Sequence, residues 1–375
     1  MKLLYITHRA TKYVNRFWFS SITAAHELGY EFHLACNMQT VEHGTWENDC
    51  SKYGIVAHQI DFDRNPLGKS NLQAKRQLLA LMEKERFDIV HCNTPTGGLI
   101  GRICAYKAEV PYVIYQAHGF HFWKGAPLKN WLCYYPVERH LAKHTDSLIT
   151  INQEDYMLAK RKMPAKRVEY ISGVGIDINK FAGTITDKEA TRKLINVPEN
   201  AFFLISVGEL IKRKNHEVVI RAISQLQDIN VHYVIVGTGV LNDYLLKLIQ
   251  EQGVSKQVHL LGYRRDVAQL YKAADACCFP SYQEGLPVAL MEAMATGLPC
   301  IASRIRGNVD LLPNSDYLFK PTDSRALVSL IEQMKRGIHL EEELKQNEKR
   351  LRLFAFDAIC NDMKKIYARN FDDQI

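Results

Sequence analysis

Short runs of β-branched and aromatic residues alternate along the whole chain with longer segments of helical hydrophobic period. That alternation predicts parallel sheets wrapped by helices rather than hairpins or sandwiches. In the first half the expected strands are 2–7, 31–36, 55–60, 88–92, 112–117, 147–151 and 168–171. Helical patterns fall between them at 17–28, 71–85, 97–107 and 127–143, the first stopped by Gly29. The second half repeats the scheme, with strands at 202–207, 231–236, 258–261, 276–279, 299–302 and 317–319. The stretch 172–186 (SGVGIDINKFAGTIT) has three glycines and no helical period, so the junction is placed there. The expected organisation is an N-terminal Rossmann-like domain over 1–178 and a second over 179–353. A closing helix, within 354–375, is expected to cross back to the first.

A length of 375 residues suits two such domains, and 47 % apolar with 24 % charged residues is a globular composition. No apolar run nears the ~20 residues that span a bilayer, and the N-terminus lacks a signal-peptide core. The expectation is a cytoplasmic chain, free or at the inner face of the cell membrane. The nine cysteines form no Cys-x-x-Cys pair, and Cys36, Cys92, Cys277, Cys278 and Cys300 lie in apolar stretches. Buried free thiols are therefore expected, and neither disulfides nor zinc. Residues 1–180 carry 23 Lys/Arg against 17 Asp/Glu, and residues 181–375 carry 25 against 24. The excess of the first half suggests an anionic partner.

In doubly wound sheets ligands bind at the C-terminal strand edges, beside helix N-termini. The segment 280–301, PSYQEGLPVALMEAMATGLPCI, has the required form: a strand end, turn residues, then a helix expected from about Leu286 with Pro287 in its first turn. The backbone N–H groups of Gly285, Leu286 and Val288 would then offer a phosphate site at the positive end of the helix dipole. Glu284 and Glu292 flank it, roughly 12 Å apart if both lie on the helix at ~1.5 Å per residue. By themselves, two such glutamates more often serve as a helix cap and a solvated face residue than as ligands of a sugar and a ribose.

The pattern Glu-Gly-x-Pro through Glu-Ala-x-Ala-x-Gly-x-Pro resembles the Glu-x7-Glu signature of the retaining family 4 glycosyltransferases, whose GT-B fold sets two Rossmann-like domains across a cleft. The likeness continues in SVGELIKRKN (206–215), VIVGTG (234–239), LGYRRD (261–266) and IASRIRGN (301–308), and more loosely at 118–156 and 173–181. It covers about two thirds of the chain.

The resemblance implies transfer of a hexose or N-acetylhexosamine from a nucleoside-diphosphate sugar, expected to be UDP-linked. The acceptor would be a saccharide or polyprenyl-diphosphate-linked saccharide in exopolysaccharide, capsule or O-antigen assembly. It implies retention of configuration without metal or cofactor. Arg213 and Lys214 would neutralise the diphosphate, Glu284 would hold the transferred sugar and Glu292 the ribose. Gly237 would line the donor site, and the backbone at Tyr263 and Arg264 would meet the base. His118, after the strand 112–117 and before Gly119, would reach the sugar from the first domain. Glu209 stands where many relatives carry Arg, and the segment 7–17, including Arg9, Lys12 and Asn15, lacks the glycines common there.

Between Val110 and Val137 there is no Asp or Glu, while Lys124, Lys129, Phe120, Phe122, Trp123, Trp131, Tyr134 and Tyr135 crowd together. This mixture suits an anionic membrane surface or, equally, core packing of a helix. Gly68-Lys69-Ser70 fails as a P-loop, because position 63 is Asp rather than Gly. Gly237-Thr238-Gly239 lacks the third glycine of a dinucleotide fingerprint, and no nucleic-acid module is recognisable. A sugar-nucleotide epimerase of the same fold, or a non-catalytic sugar-nucleotide-binding protein, stays open as an alternative.

Overall fold

The computed structural model describes residues 1–66 and 68–369. Two compact units emerge, one of Met1–Gly175 joined by the segment from Phe356 onward, the other of Ile176–Ala355. The chain therefore leaves the first unit at Gly175, slightly before the junction expected near residue 178, and returns to it at Phe356.

In the first unit the strands are β1 (Lys2–Arg9), β2 (Glu31–Asn37), β3 (Ile55–Gln59), β4 (Ile89–Asn93), β5 (Tyr112–Ala117), β6 (Ser147–Thr150) and β7 (Arg167–Tyr170). They form one parallel sheet in the order β3-β2-β1-β4-β5-β6-β7. All seven lie within two residues of the expected runs. Side chains alternate across the sheet, so Leu3, Tyr5 and Phe32 feed one apolar layer while Leu4, Ile6 and Val90 feed the other. The last helix, Phe356–Ala368, lies on the first layer. Its Ile359, Met363, Ile366 and Tyr367 are buried at helical spacing, worth roughly 1.5–3 kcal/mol each. Lys364 pairs with Glu27 at 2.6 Å, tying this helix to Phe19–Glu27. Residues 370–375, the end of the expected closing segment, lie outside the described residues.

The second unit has β8 (Phe202–Val207), β9 (Val231–Val236), β10 (Val258–Leu260), β11 (Ala276–Phe279), β12 (Cys300–Ser303) and β13 (Leu318–Phe319). Its parallel sheet runs β10-β9-β8-β11-β12-β13. In both sheets the strand order reverses once, between β1 and β4 and between β8 and β11. Two loops leave such a point in opposite directions and open a crevice at the C-terminal strand ends. All nine cysteines are free thiols, and all but Cys133 are buried.

Candidate functional site

At the reversal point of the second sheet, the loop after β8 carries the basic residues and the loop after β11 carries the first glutamate. The β8 loop tightens into a short 3-10 turn, Lys212–Lys214, and ends on Asn215 in the left-handed region (φ 54°). Asn tolerates that conformation better than most residues, because its short amide can bond locally. Here Asn215 Nδ2 donates to the carbonyls of Pro280 (3.0 Å) and Pro321 (2.8 Å), so the corner is pinned to two neighbouring loops.

This corner aims both cations at one carboxylate. Arg213 Nη1 lies 2.7 Å from Glu284 Oε2, and Lys214 Nζ lies 2.8 Å from Oε1. Arg213 also donates to the Gln283 carbonyl (3.0 Å), and its own carbonyl accepts from the Tyr282 N–H (2.8 Å). The Lys214 stem packs beside Gly208, and its ammonium lies 4.8 Å from the Phe279 ring centroid. Glu284 is 8 % exposed and Arg213 38 % in their side chains, so the cluster sits at the edge of the interior with one more cation than anion.

From the third loop, Arg306 Nε donates to the Glu284 carbonyl (3.1 Å). Gly307 (φ 82°) lets that loop close. A Cβ at Gly307 would stand 2.5 Å from the Gly285 carbonyl oxygen. The loop after β9 is held in the same manner. Gly237 (φ 150°) approaches so closely that a Cβ would fall 1.9 Å from the Gly208 carbonyl oxygen, and its N–H donates to the Gly262 carbonyl at 2.8 Å. Gly237 thus shapes the site rather than offering its N–H to a ligand.

The helix after Glu284 begins later than the sequence suggests. It spans Val288–Ala295, with Pro287 as the cap, and its first internal bond runs from the Met291 N–H to the Pro287 carbonyl (3.3 Å). The N–H groups of Val288, Ala289 and Leu290 precede that bond and form the positive end of the dipole, with no acid in the first turn. Gly285 and Leu286 belong to the approach loop, not the helix. The two glutamates therefore do not share an axis, and only the step from Val288 to Glu292, roughly 6 Å, is helical. Glu292 is buried rather than solvated. Tyr263 is exposed, and the Arg264 guanidinium is taken by Asp266 through contacts of 2.8 and 2.6 Å. Glu209 is exposed on the β8 loop.

His216, next to the basic turn, adds no charge. The Tyr233 hydroxyl donates to Ser206 Oγ (2.9 Å) and so accepts from His216 Nδ1 (3.1 Å). Burial, with the nearby Lys214 charge, pushes the His216 pKa down to about 4. His216 is therefore a neutral imidazole at pH 7, and Lys214 remains a cation beside it.

In the first unit His118 follows β5 as an exposed residue, with Nε2 3.0 Å from Asn93 Oδ1 at the end of β4. Asn93 is itself buried, and its Nδ2 has no hydrogen-bond partner among the described residues. Thr94, next in the chain, holds a positive φ of 63°, uncommon for a β-branched residue and a place where strain is stored. The glycine-free segment after β1 is shaped by side chains instead. Arg9 Nε donates to Thr40 Oγ1 (3.0 Å), and Asn15 Oδ1 accepts the Phe17 N–H (3.0 Å). The single Asp-x-Asp of the chain, Asp61-Phe62-Asp63, is spent on its own loop. Asp61 accepts from Gln59, Gln73 and Gln77, and Asp63 from Asn65 and Ser70.

Sequence reasoning missed Asn93, Asn215, Arg306 and Gly307. Asn215 closes the recognised block SVGELIKRKN, and Arg306 and Gly307 lie in IASRIRGN, whose Arg-Gly pair after a strand was the available signal.

Two family models cover most of the chain. Residues 187–351 match "Glycosyl transferases group 1", and residues 2–152 match "Glycosyl transferase 4-like". EpsD of Bacillus subtilis (strain 168), described as a glycosyltransferase, is 34 % identical over 92 % of this chain and 91 % of its own. An Escherichia coli protein, UDP-Gal:alpha-D-GlcNAc-diphosphoundecaprenol alpha-1,3-galactosyltransferase, is 34 % identical over 63 % of each chain. Among solved structures, Anabaena HepE in complex with UDP and glucose superposes with a TM-score of 0.78, at 19 % identity, over 98 % of this chain and 99 % of that one. Sucrose-phosphate synthase from Thermosynechococcus elongatus gives the same TM-score at 18 % identity, over 100 % of both chains. Both are likenesses of fold. With its two parallel α/β units of the GT-B type, the chain belongs to the glycosyltransferases.

Proposed function

We propose that this glycosyltransferase moves a hexose or N-acetylhexosamine from a UDP-linked donor to a hydroxyl of a saccharide, carried free or on a polyprenyl diphosphate, in the assembly of a cell-surface polysaccharide. The observation that carries the reading is the meeting of Arg213, Lys214 and Glu284 at the reversal point of the second sheet, beside an uncapped helix N-terminus. Fixed cations and aligned amides there match a diphosphate, whose charge grows as it leaves. The galactosyltransferase relative names a UDP donor and a lipid-diphosphate acceptor, CapM of Staphylococcus aureus is named for capsular polysaccharide, and HepE binds UDP and glucose. These names support the same direction.

An arriving diphosphate competes with Glu284 for the two cations. As Arg213 and Lys214 turn to phosphate oxygens, both Glu284 oxygens become available to sugar hydroxyls. The bond from the anomeric carbon to the β-phosphate oxygen breaks, the acceptor oxygen bonds to that carbon from the same face, and the acceptor proton passes to the leaving phosphate. Configuration is retained, Glu284 orients rather than attacks, and Arg213, Lys214 and the 288–290 amides supply the positive charge without a metal ion. Glu292 takes the ribose, and His118 is the first unit's candidate for sugar recognition.

A thermal-shift screen of nucleoside diphosphates and their sugars, joined to a transfer assay, tests the reading. UDP at a hundredfold its Kd should stabilise by about 2.7 kcal/mol. Arg213→Ala and Lys214→Ala should lose that shift and transfer together. Undiminished transfer by either variant overturns the assignment.

A further inference from the structure

The loop that carries Glu284 is held by its carbonyls, and the loop after β12 supplies several of the holding groups. Ser303 Oγ, at the end of β12, donates to the Ser281 carbonyl (2.5 Å). Asn308 Nδ2 donates to the Ser303 carbonyl (2.9 Å) and to the Ser303 hydroxyl (3.1 Å), which leaves the hydroxyl proton for Ser281. Arg306 Nε donates to the Glu284 carbonyl, and Gly307 closes on the Gly285 carbonyl. This bracket is anchored in turn. The Gly307 N–H donates to Asp310 Oδ2 (3.2 Å), and the Asp310 carbonyl accepts from Arg350 Nε (2.7 Å) on the helix Leu340–Leu351. Ser281, Ser303, Arg306, Asn308 and Asp310 are all buried.

Arg306 is only 6 % exposed, and a guanidinium taken out of water is costly unless its hydrogen bonds repay the loss. Its bond goes to the very residue whose carboxylate the two loop cations hold. Glu284 is thus gripped twice, at its side chain by Arg213 and Lys214 and at its backbone by Arg306. The two grips differ in fate. Once a diphosphate draws Arg213 and Lys214 to its own oxygens, the side-chain restraints are gone and the bond to the carbonyl remains. The place from which the freed carboxylate reaches out is then set by the loop after β12.

We propose that Arg306 is a positioning residue for Glu284, fixing the backbone from which the freed carboxylate meets the sugar hydroxyls without itself touching the donor. The inference rests on the donor reading above and adds the group that keeps the carboxylate in place after the cations leave.

Two substitutions separate the hydrogen bond of Arg306 from its charge. In Arg306→Gln the amide Nε2 stands as many bonds from the backbone as the arginine Nε, so the donor is kept and the charge is lost. In Arg306→Lys the charge is kept farther out, and a methylene stands where Nε donates. Single-turnover transfer should stay within about threefold of wild type in Arg306→Gln and fall about tenfold or more in Arg306→Lys, since ~1 Å of misplacement can cost about a hundredfold. Both variants should bind UDP within about fivefold of wild type by titration calorimetry, because the residue acts on Glu284 and not on the nucleotide. In a Glu284→Gln background, Arg306→Lys should cost no more than about threefold further, as little is left to position. The reverse order, with the lysine variant active and the glutamine variant not, would make Arg306 a charge for the diphosphate. Equal losses in both, or the full tenfold loss in the Glu284→Gln background, would make it packing. Unchanged transfer in Arg306→Lys would leave it no part at all. Each of these overturns the proposal. A wild-type protein that does not bind UDP fails the donor reading instead, and the proposal with it.

Discussion

Glu284→Gln should tighten UDP binding while slowing transfer, because the carboxylate is both a competitor of the diphosphate and a ligand of the sugar. The substitution keeps shape and removes one charge from contacts of 2.7 and 2.8 Å to Arg213 and Lys214. At an effective dielectric of about 20, a pair at ~4 Å is worth about 4 kcal/mol, most of it offset by desolvation. Breaking a fully buried pair costs about 3–5 kcal/mol. Arg213 is partly exposed and Gln retains an acceptor, so about 1–3 kcal/mol remains. For a unit of this size that lowers the melting temperature by roughly 3–10 °C.

The same 1–3 kcal/mol is what UDP must overcome when it takes the cations from Glu284. Relieved of that cost, the variant should bind UDP about 5- to 140-fold more tightly. Transfer should fall about a hundredfold or more as the sugar hydroxyls lose their charged partner. Lys214→Ala should weaken both, so the pair separates competition from general damage. Titration calorimetry with UDP and a single-turnover transfer assay measure the two quantities. If Glu284→Gln melts earlier yet binds UDP equally or more weakly, the carboxylate is a structural anchor and the exchange argument is wrong.

Other consequences follow from the packing around this cluster. Gly237→Ala and Gly307→Ala force a Cβ to 1.9 and 2.5 Å from backbone oxygens, at positive φ, and each should destabilise by about 3 kcal/mol or more; a melting temperature within a few degrees of wild type refutes this. His216 has a folded pKa of about 4 against an ordinary value of 6.5, so the folded state refuses a proton that the unfolded state takes. Its contribution is whole above pH 6.5 and is lost as pH falls towards 4, up to about 3 kcal/mol. His216→Asn should therefore lose less stability between about pH 7 and pH 5 than wild type does, as read by thermal melts in matched buffers. Asn93→Ala removes the partner of His118 Nε2 and should cut transfer about tenfold with UDP affinity unchanged; a matching loss of UDP binding would speak against a role for Asn93 in holding His118.

Strands were legible because burial on both faces of a parallel sheet demands unbroken apolar runs. VHYVIV (231–236) and FFLISV (202–207) can be little else between loops. The helix start at Val288 was not, since Gly285 and Leu286 are compatible with a first turn. What excludes them is Arg306 and Gly307 closing on that loop from beyond another strand. The burial of Phe120 and Phe122 was not legible either, because composition grouped them with Lys124 and Lys129, which the fold leaves exposed.

Hardest to read was the meeting of Arg213 and Lys214 with a carboxylate 70 residues later. No local pattern encodes it. The two loops are neighbours only because β11 pairs with β8, Ala276 opposite Leu204 and Cys277 opposite Ile205, rather than with β10, which precedes it in the chain. Had the sheet been wound in chain order, β9 and β10 would separate the cations from Glu284 and no anion site would form. The reversal of strand order is therefore the step at which a pattern of secondary structure becomes a site, and residues 213, 214 and 284 acquire a joint chemistry that none has alone.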